Sequence, residues 1–111
     1  MMRLSDAIRK GSQQRPQGYG SLFQSAIVEL SEEGFRIATV SCALGAAYEG
    51  LFGTAPEDAE LECLDELEAA FPILKERRGN ETLMDGILLR NDHEKLTREQ
   101  IADWLDEQGV E

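Results

Sequence analysis

The sequence contains few of the residues that build metal centres and disulfide frameworks. Its 111 residues include two cysteines, Cys42 and Cys63, and a single histidine, His93. The CxxC pairs and histidine spacings of zinc sites are absent. We therefore expect no metal and no cofactor. We also expect both thiols to be free, because a reducing compartment keeps cysteines unpaired.

Long apolar runs are also missing. No stretch approaches the roughly 20 consecutive apolar residues that cross a bilayer. The opening residues MMRLSDAIRK lack the apolar core of a secretory signal. These two features predict a cytoplasmic protein without a membrane partner. A chain of this length is expected to form one small globular domain over residues 1–111.

Basic residues are scarce in the middle of the chain. Residues 21–71 contain 11 acidic residues and one base, Arg36, and the whole chain has a net charge of −11. A field of this sign repels a phosphate backbone, so we expect no direct binding to nucleic acid. It favours a protein as partner, either a basic one or one that itself binds nucleic acid.

The pattern of apolar residues predicts one β-hairpin among helices. Two segments rich in β-branched residues, SAIVEL and FRIATV, flank the turn sequence SEEG and predict a hairpin over about residues 25–40. Gly34 is expected to take a positive φ in this turn. Two strands alone are marginally stable, so the hairpin is expected to lie on helices. The sequence therefore predicts an α+β fold, mostly helical, with about four to five helices.

Several residues mark the expected helix ends. Ser5 and Ser41 are predicted to cap the first two helices. Pro56 is typical of a first turn and places the start of the third helix there. The TREQ sequence beginning at Thr97 is a capping box that opens the last helix. Residues 83–89 are compatible with either a short helix or a strand, and both remain open.

The predicted third helix is strongly acidic. The seven carboxylates are Glu57, Asp58, Glu60, Glu62, Asp65, Glu66 and Glu68. They are typical of a solvated face that keeps a domain soluble. They also match a surface that imitates a phosphate backbone and occupies the nucleic-acid groove of a partner, as many phage-encoded inhibitors do. Self-repulsion among acids without bases is costly, so we treat these seven residues as the candidate protein-binding surface.

Cys42 has two interpretations. It follows a predicted strand and begins a helix, where unpaired amides would stabilise a thiolate. With His93 as base and either Asn91 or Asp92 to orient it, Cys42 would resemble the nucleophile of a papain-like thiol hydrolase. Alternatively, Cys42 is a small apolar residue on a tightly packed helix, since the small residues of ALGAA follow it. The second interpretation is favoured, so we predict no catalytic residue.

Several short motifs follow one another along the chain in a definite order. They are Ala7-Ile8-Arg9, Pro16-Gln17, Cys42 to Ala47, Asn91-Asp92, Thr97-Arg98-Glu99 and Ile101-Ala102-Asp103-Trp104. In order and spacing they resemble a small uncharacterised family of bacterial and phage-related proteins that share a CALGAA helix. The chain departs from that pattern at Glu94, where the family has histidine, and at Leu96, where it has an aromatic residue.

The resemblance implies a phage- or mobile-element-related protein and no particular activity. Six residues within or beside its motifs are expected to be structural: Ser41, Cys42, Asn91, Asp92, Thr97 and Trp104. Asn91 and Asp92 are expected to form a clasp at a chain reversal, because their side chains bond backbone amides in such reversals. Asp92 would then face the open amides at the start of the second helix.

The predicted function is therefore that of a small acidic protein-binding module without enzymatic activity. Its most specific form is an inhibitor that imitates nucleic acid and binds a basic partner. The alternative is a thiol hydrolase that uses Cys42 and His93.

Overall fold

The fold is a mostly helical α+β arrangement in which an antiparallel hairpin is inserted between the first two helices, and this confirms the predicted fold class. The computed structural model describes residues 2–110. The elements are α1 (Leu4–Ser12), β1 (Phe23–Ser31), β2 (Gly34–Ser41), α2 (Ala43–Phe52), α3 (Glu60–Ala70), β3 (Arg77–Arg78), β4 (Glu81–Thr82), α4 (Leu83–Leu88) and α5 (Arg98–Glu107). A 3₁₀ turn covers Pro72–Lys75, and a π-helical turn covers Leu89–His93.

Helix α2 lies at the centre of the core and is buried from Ala43 to Gly50. Helix α1 packs closely against it at two glycines. A Cβ atom on Gly11 would overlap the carbonyl group of Ala46, and one on Gly50 would overlap the carbonyl group of Ala7. The sequence alone suggests that Gly11 weakens α1. In the fold it permits backbone contact between the two helices.

Both serines that were predicted as helix caps have other roles, so those two predictions are wrong. Ser5 lies inside α1, and its buried hydroxyl donates to the Asp106 carboxylate of α5 at 2.6 Å. Ser41 ends β2, and Cys42 takes the capping position of α2. The Cys42 Sγ atom accepts a hydrogen bond from the Gly45 N–H at 3.5 Å. Tertiary partners outcompete the local backbone at both serines.

The start of α3 was also predicted wrongly. The helix begins at Glu60 and not near Pro56. The Glu57 carboxylate, which precedes it, accepts hydrogen bonds from the hydroxyls of Ser25 and Thr39 at 3.0 and 2.7 Å. This segment is therefore held against the hairpin before the helix starts.

The ambiguous segment 83–89 is helical. Thr82 and Asp85 form a capping box at the start of α4, which passes directly into the π-helical turn. The capping box predicted at Thr97 is confirmed, with Gln100 as its second member. The π-helical turn places Asn91 in the protein interior, where its exposed fraction is 0%.

The hairpin pairs Phe23 with Ser41 at its base and Ser31 with Gly34 at its tip, so it is slightly longer than predicted. Gly34 has the expected positive φ, +137°. The base of the hairpin is buried, whereas every residue from Glu29 to Ile37 is exposed. The expectation that the hairpin lies on helices therefore holds only at its base. The distal part projects from a molecule measuring 48 × 25 × 23 Å.

Candidate functional site

Asn91 joins three separate segments beside the start of α2. Its Oδ1 atom accepts hydrogen bonds from the Ala43 N–H at 3.1 Å and from the Gln17 side chain at 2.9 Å. Its Nδ2 atom donates to the Gly18 carbonyl at 3.1 Å and to Asp92 Oδ1 at 2.8 Å. All the hydrogen-bonding capacity of a completely buried amide is thus used to hold the chain together.

The structure corrects the position expected for Asp92. Asn91, and not Asp92, binds an open amide at the start of α2. Asp92 is half-buried and accepts a hydrogen bond from the Gly20 N–H at 3.0 Å. A neutral amide suits the fully buried position, because a carboxylate there would carry a larger desolvation cost. The Asn-Asp pair still lies at the chain reversal, but Asn91 binds the helix amide that Asp92 was expected to bind.

Arg98 is a second buried connector that the sequence analysis did not identify. Its guanidinium donates to the Ser41 hydroxyl at 2.8 Å and to the carbonyl groups of Arg15 and Ser12 at 2.7 and 3.2 Å. Burial lowers the pKa of Arg98, but arginine remains protonated at any ordinary pH. The sequence did contain one indication of this role. Arg98 is a base at the first position of α5, where the helix dipole disfavours positive charge.

The surroundings of Cys42 favour its interpretation as a packed core residue. Its exposed fraction is 2%, and burial raises the pKa of its thiol to about 11. His93 is exposed at the end of the π-helical turn. Asp92, the proposed orienting carboxylate, uses Oδ1 to bind Gly20 and Asn91. A nucleophilic thiolate needs a lowered pKa and access to substrate, and Cys42 has neither.

Slow alkylation of Cys42 is the first testable consequence. Iodoacetamide near neutral pH should label the thiol slowly in the folded protein, because the thiolate is the reactive form and its population rises only as the pH approaches about 11. Peptide mass spectrometry over time measures the rate, and the denatured chain provides the fast reference. Rapid labelling of folded Cys42, with a midpoint below the ordinary thiol pKa of about 8.5, would revive the hydrolase interpretation.

The seven acidic residues at and before α3 are not equally available. Four of them bind other groups of the chain: Glu57 binds Ser25 and Thr39, Glu60 binds the Leu22 N–H, Glu66 binds Tyr48, and Glu68 pairs with Lys75. The side chains of Asp58, Glu62 and Asp65 are exposed and form no hydrogen bond or ion pair within residues 2–110. The acidic surface is therefore partly used for folding.

The distal hairpin carries an apolar face that the sequence analysis did not identify as a site. Ile27 lies opposite Ile37, and Leu30 lies opposite Phe35, so all four side chains project from one side of the ribbon. Their exposed fractions are 60%, 57%, 79% and 62%, respectively. We call these four residues the hairpin face. The alternation of β2 indicated a side carrying Phe35 and Ile37, whereas Ile27 and Leu30 share that side only because the strand register shifts between Ile27 and Glu29.

Carboxylates frame the hairpin face. Glu57 binds Ser25 and Thr39, which form the cross-strand pair next to Ile27 and Ile37 on the same side. Glu32 and Glu33 form the turn at the opposite end and are exposed. The only base of the hairpin is Arg36, which pairs with the Glu29 carboxylate at 3.3 Å.

Two further properties concern metals and membranes. Across residues 2–110, His, Cys, Asp and Glu side chains form no group of three or more that could hold a metal ion. In that same part of the chain, no helix combines the length and apolar content needed to cross a bilayer.

Comparisons with known proteins add no relative to this picture. The resemblance to the CALGAA-containing family therefore stays a prediction. Comparison with protein-family models, with curated proteins and with solved structures gives no match.

Proposed function

We propose that this protein is an acidic protein-binding module that docks on its partner through the hairpin face. The observation that carries the proposal is the exposure of Ile27, Leu30, Phe35 and Ile37, each more than half exposed on one side of a projecting ribbon. Single exposed apolar residues are common, but a contiguous group rimmed by polar residues marks an interaction surface.

The energetics support docking at this face. Complete burial of a large apolar side chain contributes about 1.5–3 kcal/mol relative to full exposure. Each of the four residues is more than half exposed, so their burial by a partner would offset part of the ordering cost of association. A two-stranded ribbon is also marginally stable without a further layer against it. A partner covering the face would supply that layer.

The acidic surface of α3 fits a supporting role better than the principal one. Four of its seven carboxylates bind groups of the same chain, which leaves Asp58, Glu62 and Asp65 for a phosphate-like pattern. We therefore assign the recognition energy to the hairpin face. The acids add long-range attraction for a basic or nucleic-acid-binding partner protein.

The test compares two matched sets of surface substitutions. Phe35→Ser combined with Ile37→Ser removes half of the hairpin face. Leu61→Ser removes a leucine of α3 that is more exposed than either, with an exposed fraction of 75% against 62% and 57%. The partner bound by the wild-type chain is identified, purified and titrated calorimetrically against each variant. We expect the hairpin variant to bind at least about tenfold more weakly and the Leu61 variant to bind normally.

Fold integrity is checked on the same samples by thermal unfolding. Substitution of exposed residues should change the free energy of unfolding by only about 0.5 kcal/mol per site. Equal affinities for the partner in the wild type and the hairpin variant would contradict the proposal. A partner that is lost only in the Leu61 variant would transfer the binding surface to α3.

A further inference from the structure

The hairpin face is both apolar and framed by negative charge, which restricts what it can bind. We infer that its occupant is a basic amphipathic helix of a partner protein, with an apolar stripe flanked by lysine or arginine. This inference rests on the proposed function and specifies the chemistry of the partner.

The dimensions of the face suit a helix. Phe35 and Ile37 are two residues apart on one strand, a separation of about 7 Å, and each lies opposite an apolar residue of β1. The apolar residues of an amphipathic helix recur about every 5.4 Å along its axis. Two turns of such a helix therefore span both cross-strand pairs.

The charges at the two ends of the face select a basic segment. Glu57 is fixed at the base by its hydrogen bonds to Ser25 and Thr39, and Glu32 and Glu33 lie at the tip. A segment lying along the face would therefore meet carboxylates at both ends. Cations flanking an apolar stripe complement this arrangement, whereas acids flanking it are repelled.

The same charges argue against a second copy of this chain as the occupant. Two faces packed in parallel would bring Glu32 and Glu33 of one copy against the same residues of the other. In the antiparallel arrangement, those residues would meet Glu57 and Asp58 instead. The only hairpin base, Arg36, is already paired with Glu29. Either arrangement places like charges together without compensation.

Peptides of known composition test the inference on the full chain. The probe is a short helical peptide of leucine and lysine, and its matched control replaces every lysine with glutamate. Fluorescence anisotropy at low salt should show at least about tenfold tighter binding of the lysine peptide. Phe35→Ser with Ile37→Ser should abolish that binding, whereas Leu61→Ser should leave it unchanged.

Charge variants separate local from overall attraction. Glu33→Gln with Glu57→Gln removes two framing carboxylates, and glutamine at position 57 can still accept the hydrogen bonds from Ser25 and Thr39. Glu94→Gln with Glu107→Gln removes the same net charge elsewhere. The first pair should weaken binding of the lysine peptide severalfold at low salt, and this loss of affinity should become smaller at high salt. The second pair should change the affinity for the lysine peptide little.

Each result has a defined consequence. The two peptides could bind equally well to the wild type and both lose binding in the Phe35 and Ile37 variant. That result would overturn the inference that the partner is basic and would leave docking at the hairpin face intact. Binding of the lysine peptide that survives those substitutions would overturn both proposals. A dimer of the chain, seen by sedimentation and lost in the same variant, would make a second copy the occupant. Failure of the lysine peptide to bind would also overturn the inference.

Discussion

Gly11→Ala is expected to destabilise the protein strongly. The new Cβ atom would overlap the carbonyl group of Ala46, and both groups belong to helical backbone that cannot move independently. Alanine favours an isolated helix over glycine by about 1 kcal/mol, so local propensity predicts the opposite sign. Overpacking typically costs about 1–3 kcal/mol, occasionally more, and a clash between backbones belongs at the upper end.

Thermal unfolding followed by circular dichroism measures this effect. A loss of about 3 kcal/mol corresponds to a decrease of more than about 10 °C in the melting temperature for a domain of this size. Lys10→Ala provides the control, because Lys10 is an exposed neighbour on the same helix. An alanine variant at Gly11 that melts at or above the parent temperature would show that α1 and α2 do not pack as described.

Asn91→Ala is expected to have a comparable effect through lost hydrogen bonds. The substitution leaves the Ala43 N–H and the Gly18 carbonyl without their partner in a buried region. Each unsatisfied buried group costs about 1–3 kcal/mol, so we expect a total loss of about 3 kcal/mol or more. The melting temperature should again fall by more than about 10 °C.

Two neighbouring substitutions calibrate the Asn91 result. Asp92→Ala should lower the melting temperature by less, because Asp92 is half-buried and accepts two hydrogen bonds, from the Gly20 N–H and the Asn91 amide, whereas Asn91 takes part in four. His93→Ala should change it little, since His93 is exposed. A parent-like melting temperature for Asn91→Ala would contradict the conclusion that Asn91 holds the three segments together.

Features encoded by neighbouring residues were predictable from the sequence. The hairpin followed from two β-branched segments and a turn ending in Gly34, and the start of α5 followed from a capping box at Thr97. In both cases the decisive signal lies within a few residues along the chain, at the turn of the hairpin and at the capping box of α5. Local propensity and final structure therefore agree.

Features decided by distant contacts were not predictable in the same way. Ser5 has the residue type of a helix cap, but its hydroxyl finds Asp106 across the fold. Asn91 and Asp92 are both able to bind an amide, and only burial determines which one reaches Ala43. The alternation of β2 identifies a side containing Phe35 and Ile37 but not whether anything covers it.

We propose above all that the hairpin face contacts a different protein. A photoreactive phenylalanine analogue placed at position 35, and separately at position 61, reports contacts made in the cell that produces the protein. We expect a discrete adduct with a partner protein from position 35 and none from position 61. The absence of an adduct at position 35, or an adduct confined to position 61, would contradict it.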